Sequence, residues 1–318
     1  MNSSTKKLLY TAAGAITAAM LASCATNKEL PVILKEGEVS SSADNAKSHE
    51  LFAKGKKAYY SNKFNSASDK FRKLYRKYPL SQYAAESIYL RGLCLEKDKK
   101  HLLAFDEYQK IATRYTLSGF YKKAIDRQIA IAQGAFDKDL KEHFLFLSAS
   151  ISETQIIKLL EKVIANAPNS RSAVKSQDTI AEIYSRRKSP DDAVIAYEQL
   201  VFNYPTAPEA AEAQFKIGEL LIAQADSGNQ DSANINRAKQ AFKDLLTLYP
   251  NSSKATLAKQ RIRTLELQEL ERSLDTGNFY LRKKQFTSAK VYFDKVIDAP
   301  NATATMKDEA RKALSQMK

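Results

Sequence analysis

The chain has 318 residues, 44% hydrophobic and 27% charged, with only nine Gly and eight Pro and no Trp, a balance that excludes a disordered or fibrous chain and fits an ordinary helical body. The net charge of +14 is unevenly spread: residues 50–127 hold 18 Lys/Arg against 8 Asp/Glu, residues 128–278 hold 18 against 20, and residues 279–318 hold 9 against 4. Both ends of the body are basic and its middle is not, so an anionic surface or an acidic partner is expected at the ends.

Lys6 and Lys7 precede an apolar run from Leu8 to Leu21 that closes in Leu21-Ala22-Ser23-Cys24. A charged start, a short apolar stretch and small residues before a cleavage point are the parts of a secretory signal, and the run is too short to span a bilayer comfortably. The Leu-Ala-Ser-Cys ending resembles the lipobox of bacterial lipoproteins, which implies a signal peptide over 1–23 and acylation of Cys24. Ala25 in place of an Asp favours export onward to the outer membrane by the same resemblance. Residues 24–47, with Pro31, Gly37 and Ser40-Ser41-Ser42, are expected to form a flexible tether. With Cys24 committed to lipid, Cys94 has no disulfide partner and is expected as a small core residue.

From residue 48 onward one phrase recurs: Ala, an aromatic four residues on, an aliphatic three further, then Tyr-Pro. Its clearest copies are Ala67-Phe71-Leu74-Tyr78-Pro79, Ala193-Tyr197-Leu200-Tyr204-Pro205 and Ala238-Phe242-Leu245-Tyr249-Pro250. Weaker copies are Ala104-Tyr108-Ile111-Tyr115, Ile156-Leu160-Val163-Pro168 and Ala289-Phe293-Val296-Pro300. Steps of four and three put these side chains on one face of a helix, the small residue admitting a neighbour and the large ones filling the space around it. Pro ends each helix, and the Ser or Asn that follows can cap the next. Successive phrases lie 37, 52, 37, 45 and 51 residues apart, so the shortest spacings approach the tetratricopeptide period and the others imply insertions. The expected fold is therefore all-α, a tetratricopeptide-like helical-hairpin solenoid of five to six repeats over 48–318, with a concave binding surface. It comprises a basic half over about 48–135, an irregular insertion over about 137–152, and C-terminal repeats over about 153–318. Phe144, Leu145, Phe146 and Leu147 in the insertion are expected to pack onto the concave face, the alternative being contact with a partner.

Signs of catalysis are few. His49, His101 and His143 are isolated, no glycine loop fits a phosphate cradle, and no G-x-S-x-G elbow occurs. Asp191-Asp192 read as helix-start residues, with Ser189 as the cap and Pro190 in the first turn. A binding protein without cofactor, metal, nucleic acid or small-molecule substrate is expected.

Taken together, the Cys24 lipobox, the first repeat (Phe64, Ala67, Leu74, Tyr78-Pro79, Tyr83) and the run from Tyr249 through Arg261, Leu265, Leu270 and Phe279-Tyr280-Leu281-Arg282 to Phe286, Ala289 and Val296 resemble the BamD family. These are the tetratricopeptide lipoproteins of the machine that folds β-barrels into bacterial outer membranes. The resemblance implies a lipid-anchored protein on the periplasmic face of the outer membrane, working beside other Bam subunits. It implies C-terminal repeats that dock on the POTRA domains of a BamA-like Omp85 barrel protein, through Tyr280, Arg282, Lys283 and Lys290. It also implies N-terminal repeats that receive nascent outer-membrane β-barrel proteins in a groove containing Tyr59, Tyr60, Tyr83, Tyr89 and Arg91. The alternatives are a CpoB-like partner of the Tol-Pal system, disfavoured because residues 25–50 show no heptads, and a lipoprotein activator of a cell-wall enzyme.

Overall fold

A computed structural model describes residues 42–138, 140–144, 147–227 and 232–317. The lipobox and Cys24 lie outside the described residues. The chain divides into two compact units, residues 1–124 and 125–318, and the division falls inside a helix.

In the first unit, α1 (Ser42–Tyr60) and α2 (Phe64–Lys77) form one hairpin, and α3 (Ala84–Lys97) and α4 (His101–Arg114) the next, with α2 packed on α3. Helix α1 begins within the segment expected as tether. Helix α5 (Tyr121–Phe136) holds the division between units. In the second unit a β-hairpin, β1 (Lys141–Phe144) and β2 (Leu147–Ser150), pairs antiparallel with Glu142 opposite Ala149. It is followed by α6 (Glu153–Asn166), α7 (Arg171–Arg186), α8 (Pro190–Asn203), α9 (Pro208–Ser227), α10 (Ser232–Leu248), α11 (Ala255–Arg282), α12 (Phe286–Asp298) and α13 (Ala304–Ser315). Here α7/α8, α9/α10 and α11/α12 are hairpins, and α13 packs on α12 and α11.

Each recurring phrase except the Ile156 copy on α6 is the second helix of a hairpin. Ala67, Phe71 and Leu74 of α2 are fully buried, as are Ala104, Tyr108 and Ile111 of α4, Ala238, Phe242 and Leu245 of α10, and Ala289, Phe293 and Val296 of α12. Burial of one such aromatic contributes about 2–3 kcal/mol. The first helices answer with glycine: a Cβ on Gly55, Gly92, Gly218 or Gly277 would fall 2.4–2.7 Å from the ring of Phe71, Tyr108, Phe242 or Phe293 respectively. The aromatic thus lies directly on the backbone of the partner helix.

The turn inside a hairpin repeats one geometry. Asn62, Lys99, Lys188 and Lys284 take φ of 56–59°. The next residue's N–H reaches back five positions, as Lys100 to the Leu95 carbonyl (2.8 Å) and Gln285 to that of Tyr280 (3.0 Å). This is the Schellman closure, built here without glycine. Between hairpins, helices stop as expected at Tyr-Pro, because the residue before Pro is driven from helical space; Tyr78 has φ −131° and ψ 65°. Tyr115 adopts nearly the same cap with Thr116 in place of Pro, so proline is not required.

Capping follows another scheme than the one expected. Ser170 does cap, accepting from the Ala173 N–H at 3.1 Å. Ser81 and Ser252, however, accept from Tyr83 and Lys254, two residues on and ahead of the helix, and Ser189 makes no side-chain cap at all. At α8 it is Pro190 at the start, with Asp191 and Asp192 in the first turn, that favours initiation. Side chains of 143–147 lie outside the described residues, so the expected packing of the insertion does too.

Candidate functional site

The last complete hairpin carries the first candidate. Phe293 and Val296 of α12 are buried against Leu270 and Leu274 of α11 and Met306 and Ala310 of α13, which fixes the hairpin turn in place. Around that turn Tyr280 stacks on Tyr292 at 5.6 Å, Phe279 meets Tyr280 edge-on at 5.5 Å, and the Lys283 ammonium lies 5.9 Å from the Phe279 ring centre. Phe279, Phe286 and Val291 are exposed, as are Arg282, Lys283, Lys284 and Lys290, and none of these four cations has an ion pair among the described residues. Of the four residues expected here, Tyr280 is half-buried in the aromatic stack and the three cations surround it.

Elsewhere in the same unit several cations are paired across helices. Between first helices, Arg171 pairs with Glu209, Lys216 with Asp178 (3.9 Å), Lys254 with Glu212 (3.0 Å), and Arg261 with both carboxylate oxygens of Glu219 (2.9 Å each). Burial holds the Asp178 carboxyl above its ordinary value, with Lys216 opposing. Glu269 on α11 is bridged by Lys239 of α10 (2.8 Å) and Lys295 of α12 (3.1 Å), and the hydrogen bonds from the two ammonium groups lower its carboxyl below the usual range. Residues 128–278 balance 18 Lys/Arg with 20 Asp/Glu, and this ladder joins several of them, whereas the terminal turn has cations without acids beside them.

In the first unit the expected groove tyrosines fall into three aromatic groupings. Tyr83 stacks on Phe52 at 4.8 Å, near His49 (5.6 Å). Tyr59 meets Tyr60 and Phe64 edge-on at 5.7 Å, about 12 Å further along α1 by its rise per residue. Tyr89 lies between Tyr108 (5.7 Å) and Phe120 (5.5 Å). Of these, only Tyr60 is largely exposed. Arg91 is engaged internally: its guanidinium pairs with Glu107, whose side chain is 5% exposed, and donates to the Tyr75 hydroxyl at 3.1 Å. Tyr75 donates to Glu107 at 3.0 Å and Lys110 to Glu107 at 2.6 Å, so α2, α3 and α4 are clasped around one buried carboxylate. Cys94 is buried, and burial pushes its thiol up to about 12.

One apolar cleft lay beyond the sequence reading. It has a volume of about 620 Å³ among α8, α9 and α10, with Val201, Phe202, Ile217, Leu221 and Leu248 in its lining. Phe202 is 86% exposed. The signal was present: nine residues past the phrase's first position the other aromatic-bearing copies have Arg76, Thr113, Thr247 and Asp298. Among the described residues no cluster of three or more His, Cys, Asp or Glu is placed to hold a metal, and no helix is long and apolar enough to cross a membrane.

Stacked Gly-on-aromatic hairpins with exposed cationic and aromatic turns define a tetratricopeptide-type, all-α protein whose surfaces are suited to holding other molecules. A tetratricopeptide repeat model matches residues 52–118, in the first unit, and the YfiO model, described as outer membrane lipoprotein, matches residues 149–317, in the second. The chain belongs to this outer membrane lipoprotein family, that of BamD. Curated relatives include the outer membrane protein assembly factors BamD of Neisseria meningitidis serogroup A and of Neisseria gonorrhoeae, each 26% identical over 158 residues, or 46% of this chain and 59% of theirs. The match thus spans less than two thirds of those relatives. Among solved structures, the C-terminal part of a TPR repeat-containing protein from Cytophaga hutchinsonii is 14% identical, covering 82% of this chain and 87% of that one at a TM-score of 0.34, too low to carry an argument.

Proposed function

We propose that this chain is a non-catalytic adaptor of outer-membrane β-barrel assembly, held by an acylated Cys24 on the periplasmic face of the outer membrane. In this reading residues 1–23 are a removed signal, 24–47 link the lipid to the repeats, and the hairpins work through binding energy only. Family membership supports the assembly role. The observation that carries the docking site is the α11–α12 turn, where exposed Phe279, Phe286 and Val291 are flanked by the unpaired Arg282, Lys283, Lys284 and Lys290, within the family-matched residues. An apolar centre with a cationic rim fits a partner with an acidic, partly apolar patch, and the partner proposed is the POTRA region of a BamA-like Omp85 protein in a complex with other Bam subunits. Clients, as unfolded barrel precursors, would bind the first unit, with Tyr59, Tyr60, Tyr83 and Tyr89 offering area and hydroxyls at small entropic loss while Arg91 fixes the helices that present them.

The test is affinity purification of the full chain from detergent extracts, beside a variant with Arg282→Glu, Lys283→Glu and Lys290→Glu. The proposal expects an Omp85-type protein with the parent chain and its loss, by tenfold or more, with the variant. Retention of that protein by the reversed surface would refute the docking site, and its absence from the parent purification would refute the function.

A further inference from the structure

The first unit presents an edge that the adaptor role does not use. The turns that leave α2 and α4 are related in sequence, Tyr78-Pro79-Leu80-Ser81 and Tyr115-Thr116-Leu117-Ser118, and both leucines point outward, Leu80 42% and Leu117 73% exposed. The corresponding positions in later turns are Asn169, Thr206, Asn251 and Asn301, so an aliphatic tip is peculiar to this unit. The two turns adjoin, since the Tyr115 hydroxyl donates to the Pro79 carbonyl at 3.0 Å.

Cations accompany the leucines. Arg76 and Lys77 end α2, where the helix dipole favours them. Lys122 and Lys123 are different: both are exposed in the first turn of α5, which holds no acid, so they face the positive end of a helix. Each such placement costs about 0.3–1 kcal/mol; the Phe120 ring, 5.0 Å from the Lys123 ammonium, offsets part of it for Lys123, while Lys122 has no ion pair among the described residues, and such a charge retained at a surface points to a use outside the fold. The acids of this edge are Asp44, Glu86, which lies 3.9 Å from Lys56, and the exposed Asp126, one turn beyond Lys122 and Lys123 on α5 but without an ion pair to either among the described residues.

The same edge receives the N-terminal segment. Ser81 and Ser48 hydroxyls are 2.8 Å apart and Tyr83 lies 5.6 Å from His49, so the first turn sits against the opening turns of α1. Only residues 25–41 separate Cys24 from Ser42, a stretch that reaches at most about 60 Å. The attachment point of an anchor at Cys24 therefore lies at this edge, within about 60 Å of its bilayer.

From these placements we infer that the Leu80–Leu117 edge lies on the membrane, with the leucines entering the headgroup boundary and Lys77, Lys122 and Lys123 meeting anionic phospholipid. A lone aliphatic tip needs no shaped pocket in a lipid interface, and each lysine there contributes about 1 kcal/mol. Tethering makes even a weak contact populated, because it becomes intramolecular. The inference rests on the lipid anchor of the proposed function, not on the barrel partner.

Because the chain contains no Trp, one introduced Trp is a clean reporter. The full acylated chain carrying Leu117→Trp is reconstituted in phosphatidylcholine vesicles with and without phosphatidylglycerol, using brominated acyl chains as quencher. Tyr60→Trp, equally exposed but at the far end of the α1–α2 hairpin, is the comparison. The expected result is a blue-shifted emission and several-fold stronger quenching for Leu117→Trp, only with the anionic lipid, and its loss when Lys77, Lys122 and Lys123 are changed to Glu. The lysine changes at α5 favour its helix dipole and so do not endanger folding. Equal quenching of the two reporters, or indifference to anionic lipid or to the charge reversal, overturns the inference. The mass of the Cys24 peptide reports the anchor separately, and the Omp85 purification reports the partner, so the three failures are distinguishable.

Discussion

At the scale of single residues, two side chains decide whether the first unit holds together. Glu107 is a buried carboxylate with three partners, Arg91, Lys110 and Tyr75. Glu107→Ala leaves the Arg91 guanidinium buried without its counter-ion, and a loss of about 3–5 kcal/mol in urea unfolding is expected. Gly92→Ala gains about 1 kcal/mol of helix propensity but forces a methyl against the Tyr108 ring, 2.4 Å away. That ring cannot retreat, because its hydroxyl is held to Glu96 at 2.5 Å, so a net loss of about 1–2 kcal/mol is expected, whereas Gly119→Ala, with open space around it, is neutral. The sequence showed the aromatics and their helical face plainly. The glycines opposite were equally present, sixteen residues upstream in three of the four pairs, but a lone Gly in a helix reads as a weakness until the ring that needs it is placed. The same holds for Arg91, expected as a groove residue and engaged instead with Glu107, because a long-range carboxylate partner has no sequence signal.

At the scale of elements, the hairpin turns and the links between hairpins carry separable predictions. Lys188 holds a left-handed conformation that an L side chain adopts only at a cost, so Lys188→Gly is expected to raise the thermal midpoint, with a gain of up to about 1 kcal/mol. Glu269 clips α10 and α12 onto α11, and its carboxyl is lowered by the two lysines. Its contribution is present above the ordinary Glu range and is lost as pH falls through the lowered value. Glu269→Gln should therefore be less stable than the parent at pH 7, by less than about 1 kcal/mol given the exposure of the site, and indistinguishable from it at pH 2 or in high salt. Helix ends were legible because Pro acts through the backbone alone. Serine caps were not, because the same hydroxyl serves a turn at Ser81 and Ser252 and a helix at Ser170, a choice set by backbone dihedrals. Nothing periodic marked the β-hairpin at 141–150, whose two strands are too short to show alternation.

At the scale of the molecule, the division of charge seen in the sequence acquires a cause. Acids balance cations in the middle, where ion pairs tie first helices together, while the surplus cations gather at the α11–α12 turn and on the first unit. Two surfaces with unpaired cations and exposed apolar groups suit a chain that joins things, and family membership names the setting as the outer membrane. Repeat class and family were readable from the recurring phrase and the long α11. Which faces remain open was not, since that depends on every cross-hairpin pair. The claim on which the account turns is that the terminal hairpin meets an Omp85-type protein, and site-specific photo-crosslinking in cells from a reactive residue placed at Val291 tests it most directly. The account predicts a crosslinked product containing that protein, abolished by reversing Arg282, Lys283 and Lys290. A reactive group at Val291 that yields no such product, while one at Phe202 does, would contradict it.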